Sequence, residues 1–88
     1  MSKIVATIKI FPEDVIISPK VLKTRIENAL PNNVSVHRID EEPIAFGLIA
    51  LIAYIVMPET SGVLDEVESA LSGINGISQI ETLLVRKI

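Results

Sequence analysis

The sequence predicts an α+β two-layer sandwich, four strands and two helices in the order β-α-β-β-α-β. Three observations carry this prediction. Apolar residues alternate at Ile4, Ala6, Ile8 and Ile10, the period of a strand with one buried face. Ser18-Pro19 is a helix start, a serine cap followed by proline at the first helical position. The third is Leu48–Met57, ten consecutive apolar residues where a membrane-spanning helix needs about 20. Its isoleucines, Val56 and Tyr54 favour a strand, and apolar character on both faces puts that strand in the middle of a sheet.

The first strand runs Lys3–Phe11, and Pro12-Glu13-Asp14 breaks it. Its second face, Val5, Thr7, Lys9 and Phe11, is mixed and suits water or a partner. The first helix is expected over Pro19–Leu30, with Val21, Leu22, Ile26, Ala29 and Leu30 inward, and Pro31-Asn32-Asn33 ends it. Val34–Glu42 alternates weakly, and Asp40-Glu41-Glu42 with Pro43 discourages further pairing, so this strand belongs at an edge. A tight turn at Ala45–Gly47 leads into the central strand, whose helix-facing side is left open. Pro58–Gly62 is a loop carrying cap residues. The second helix follows at Val63–Ser72, with Asp65, Glu66 and Glu68 near its positive end and Gly73 closing it. Ile77–Ile88 is the fourth strand. Right-handed crossovers then give a ferredoxin-like antiparallel sheet of order 4-1-3-2 with both helices on one face. That topology hosts many functions and names none.

At 88 residues the chain reads as one domain. Aromatics make up 3%, so Ile, Val and Leu must fill the core. A net charge of −3 and a pI near 5.0 argue against nucleic acid as a partner. No cysteine is present, which removes disulfides, thiolate catalysis and cysteine metal centres. No cationic-then-apolar leader is read before the first strand, and the expected compartment is the cytoplasm, with no membrane partner.

Candidate chemistry is sparse. His37 is the sole histidine and has no second soft ligand to share a metal with. Asp40-Glu41-Glu42 lacks the spaced oxygen ligands of a calcium loop and reads as a solubilising edge. The serines fall at caps, turns or helix surface, and the four glycines form no phosphate-cradling loop. No enzyme activity, cofactor or metal is expected. Two features remain: Phe46, a large ring where turns favour small or polar residues, and the basic chain end Arg86-Lys87-Ile88. Phe46 is compatible with folding back on the core or with display to a partner.

The segment Glu42-Pro43-Ile44-Ala45-Phe46-Gly47, the apolar run after it and the basic residue next to last resemble the translation elongation factor 1-beta family. The likeness is to its short archaeal form, a guanine-nucleotide-exchange domain alone, and it covers residues 1–88. The resemblance implies an exchange factor that accelerates GDP release from the elongation factor 1-alpha GTPase. It implies that Lys87 acts at the partner's Mg²⁺ site and that Phe46 docks in a partner pocket. Arg86, Ile88, Ala45 and Gly47 would add partner contacts.

In the expected fold, Phe46 and Lys87 sit at opposite ends of a strand about 30 Å long and would touch two regions of the partner. The competing reading is a small ligand-sensing or interaction domain that self-associates through its sheet. An RNA-binding sheet would need exposed aromatics beyond Tyr54 and Phe11, and a basic surface.

Overall fold

The structure is a computed structural model that describes residues 2–88. Its elements are β1 (Lys3–Pro12), α1 (Pro19–Ala29), β2 (Ser35–Pro43), β3 (Ile49–Pro58), α2 (Val63–Ser72) and β4 (Ile77–Lys87). The strands form one antiparallel sheet of order β2-β3-β1-β4, the expected 4-1-3-2 counted from the other edge. The architecture is the ferredoxin-like α+β sandwich.

Strand pairing settles which side of β3 meets the helices. Ile8 lies opposite Ala53 and Ile10 opposite Leu51. Leu51, Ala53, Ile55 and Met57 therefore share the buried face of Ala6, Ile8 and Ile10, where Leu22 and Ile26 of α1 and Val67 and Leu71 of α2 close over them. Burying each large aliphatic side chain here contributes about 1.5–3 kcal/mol. Ile52, Tyr54 and Val56 point to the open face and stay half-buried.

The helix ends follow local chemistry in one case and depart from it in the other. The Ser18 hydroxyl accepts the Val21 N–H at 3.2 Å, with Pro19 at the first helical position. The helix stops at Ala29, and Val21, expected inward, is 42% exposed because the sheet-facing stripe is only as wide as Leu22 and Ile26. No side chain caps α2. Gly62 takes the cap position at φ 83, and Asp65 and Glu66 in the first turn supply the favourable charge. Gly73 ends α2 in right-handed rather than left-handed geometry, its N–H turned toward Ser69 and Leu71.

β2 is the edge that its acids suggested, and each acid has a different cation. Asp40 meets Arg38 at 3.2 Å, Glu41 meets Lys23 of α1 at 2.9 Å, and Glu42 meets Lys9 of β1 at 2.6 Å. Alternation along the strand is what sends Glu41 toward the helices and Glu42 to the open face. His37 is the extra residue of a bulge between Val36 and Arg38 and is exposed. No helix among the described residues is long and apolar enough to cross a membrane.

Candidate functional site

The two sequence-selected features occupy opposite ends of the sheet. Lys87 lies opposite Ile4, which lies opposite Met57 near the end of β3. Phe46 sits just before β3 begins at Ile49. The eight-residue rise between those ends is roughly 27 Å, in a molecule 42 Å along its longest axis.

At the first end, Ala45–Gly47 closes the β2–β3 hairpin. Ile44 N–H donates to Leu48 O at 2.8 Å, and Leu48 N–H donates to Ala45 O at 3.3 Å. Three residues must reverse the chain between these bonds, which forces Phe46 to φ 63 and Gly47 to φ 77. Glycine tolerates that region; an aromatic residue does so at a cost of about 1–2 kcal/mol. The same geometry throws the ring outward, 94% exposed, so it does not fold back onto the core. A bulky apolar side chain that is both strained and solvated does nothing for the isolated fold.

Sequence reasoning passed over two neighbours of this turn. In the β1–α1 loop, Val15 and Ile16 are 60% and 84% exposed. A Cβ on Gly47 would lie 3.7 Å from Val15 Cγ1, and the two residues line one small cleft, so the two loops are neighbours. The available signal was an apolar run, Val15-Ile16-Ile17, outside any periodic element; only Ile17 joins the core.

At the second end, β4 carries a bulge. Thr7 lies opposite Leu84 and Ile8 opposite Thr82, leaving Leu83 unpaired. Beyond it, Arg86 lies opposite Val5 on the open face and Lys87 opposite Ile4 on the helix side. The two basic residues therefore part company. Lys87, 74% exposed, reaches across the start of β1 to Glu59 just beyond β3, Nζ to Oε2 3.2 Å. Ile88 N–H donates to Lys3 O at 3.1 Å and Glu59 N–H to Ser2 O at 3.0 Å, so the chain end and its acidic partner are both tied to β1. The separation of the two basic residues is one of strand face only: Arg86, Lys87 and Ile88 all border a shallow groove with Val5, Tyr54 and Leu84.

Elsewhere the surface offers little for chemistry. No polar or charged residue is buried among the described residues. Asp40, Glu41 and Glu42 are drawn apart by their three cations, and no group of metal-ligating side chains assembles among the described residues. Both aromatic rings of the open face already carry a cation of this chain, Arg38 4.6 Å over Tyr54 and Lys9 5.3 Å over Phe11. The Tyr54 side chain first, then Asp40, holds the Arg38 guanidinium above its ordinary pKa. That is a poor platform for stacking bases.

Comparison with known proteins identifies the family. Residues 5–88 match the model of the EF-1 guanine nucleotide exchange domain. The elongation factor 1-beta of Methanothermobacter thermautotrophicus is 43% identical over 88 residues, covering 100% of this chain and 99% of the relative. That of Aeropyrum pernix is 44% identical over 82 residues, covering 92% and 91%. Among solved structures, the C-terminal domain of the MgtC protein from Mycobacterium tuberculosis superposes with a TM-score of 0.63 at 16% identity, over 100% of this chain and 88% of that one. This last likeness speaks for the fold alone. Matched over nearly its whole length, the chain belongs to the EF-1 guanine nucleotide exchange domain family, as an exchange factor of translation elongation and not an enzyme.

Proposed function

We propose that residues 1–88 act as a single exchange domain that promotes GDP release from the elongation factor 1-alpha GTPase in the cytoplasm. Lys87 brings an ammonium to the partner's Mg²⁺ and phosphate site. Phe46, with Ala45 and Gly47 shaping its turn, anchors the opposite end, and Arg86 and Ile88 add contacts beside Lys87. The observation that carries this reading is the strained, solvated Phe46 at the far end of the sheet from an exposed terminal lysine.

Bound GDP is held in part by Mg²⁺ neutralising its phosphate oxygens. A second cation delivered beside that ion disfavours the metal, and loss of the metal loosens the nucleotide. By linkage, GDP weakens the exchange factor by the same factor. All the bond-making chemistry belongs to the partner; this chain contributes position and charge.

The test is GDP release from purified elongation factor 1-alpha. Lys87→Ala should lose most of the stimulation, about tenfold or more, because an uncompensated charge at close range is worth at least about 1.4 kcal/mol. Its unfolding midpoint should match wild type, since an exposed ion pair such as Lys87–Glu59 adds little stability. Wild-type exchange by Lys87→Ala would overturn the mechanism. A stable dimer without effect on GDP release would favour the self-associating domain.

A further inference from the structure

We infer that Ile16 and Val15 form one apolar docking tip with Phe46, seated as a unit in a concave apolar pocket of the GTPase. This rests on the reading above and enlarges its anchor from one ring to two loops. Three large apolar side chains are exposed on two loops at the same end of the sheet, and Val15 and Gly47 line one small cleft between those loops. Ile16 is 84% exposed, and its backbone is held in place by the turn. The Asp14 carboxylate accepts the Ile16 N–H at 2.8 Å, and Glu13 N–H donates to Gly76 O at 2.9 Å, fixing the loop that presents it. The tip is thus ordered before docking, which lowers the entropic cost of burying it.

Its shape and charge select the occupant. A small cluster of exposed apolar side chains, with Phe46 at 94% and Ile16 at 84% exposure, suits a pocket rather than a flat surface. Glu13 and Asp14 are exposed and immediately precede Val15 in the same loop, and these acids repel anionic lipid headgroups as well as the same acids of a second copy. A protein pocket with an uncharged or basic margin remains the match.

The experiment measures GDP release from elongation factor 1-alpha as a function of exchange-factor concentration. Ile16→Ser should raise the half-maximal concentration by about five- to twenty-fold, the loss of one partly buried aliphatic side chain at an interface. The maximal rate should stay at wild type, because Lys87 is untouched. Ile16→Leu should restore tight docking, and Ile16→Ser with Phe46→Ala should be non-additive if the side chains share one pocket. Thermal unfolding of each variant should match wild type, given the exposure of both residues. An unchanged half-maximal concentration for Ile16→Ser, alongside a raised one for Phe46→Ala, overturns the two-loop tip and leaves the Phe46 anchor standing. If Phe46→Ala is also without effect, the anchor reading itself falls. Binding to phosphatidylcholine or phosphatidylglycerol vesicles, or a dimer by light scattering that Ile16→Ser dissolves, would likewise overturn the choice of partner.

Discussion

On the proposed reading, Phe46 sets function against stability at a single residue. Its φ of 63 and its exposed ring are both unfavourable for the free protein. Phe46→Gly should therefore raise the unfolding free energy by about 0.5–1 kcal/mol, the relief of left-handed strain less the added freedom of glycine in the unfolded chain. Urea denaturation measures it, and the same variant should dock poorly. The sequence flagged this position because an aromatic residue in a tight turn has no local rationale. It did not flag Ile16, since the three apolar residues Val15-Ile16-Ile17 in a loop carry no period to read. Glu59 was also invisible: its pairing with Lys87 joins residues far apart in sequence, and only the sheet brings them across β1.

At the scale of elements, the boundaries expected from capping and alternation fall within a residue or two of those observed, because the signals are local. Ser18-Pro19 starts α1 whatever surrounds it. The facing of β3 was not readable, since a strand apolar on both sides gives the same sequence in either orientation. The bulge in β4 was hidden for a related reason: Leu83-Leu84-Val85 is apolar in any register. The link between α2 and β4 depends on Gly76, at φ 102, where a Cβ would lie 2.8 Å from Ile17 Cδ1 and 3.0 Å from Arg25 Nη1. That guanidinium donates to Asn75 O at 2.6 Å and clips the turn to α1. Gly76→Ala should destabilise the fold by about 1–3 kcal/mol through backbone strain and displacement of this clip. A shifted denaturation midpoint at unchanged slope would register it.

For the whole molecule, the proposed function makes the sheet a rigid spacer between the Phe46 end and the Lys87 end. Its two inner strands are paired on both sides, so the ends cannot approach each other without breaking the ladder. Phe46→Ala and Lys87→Ala should then act on separate quantities, the first on half-maximal concentration and the second on maximal rate. Their free-energy effects should sum to within about 0.5 kcal/mol, as for sites well apart. A double variant much better or worse than that sum would mean the ends communicate.

The bulge at Leu83 has a consequence for how this terminus could evolve. In an uninterrupted ladder, the positions of β4 beyond Leu83 would trade sides, and the last lysine would turn to the open face while arginine took its place opposite Ile4 on the helix side. One supernumerary residue thus acts as a switch of parity, choosing which of two adjacent cations is offered forward. Gaining or losing a residue between that point and the tail would reverse the choice, so length there is as constrained as composition.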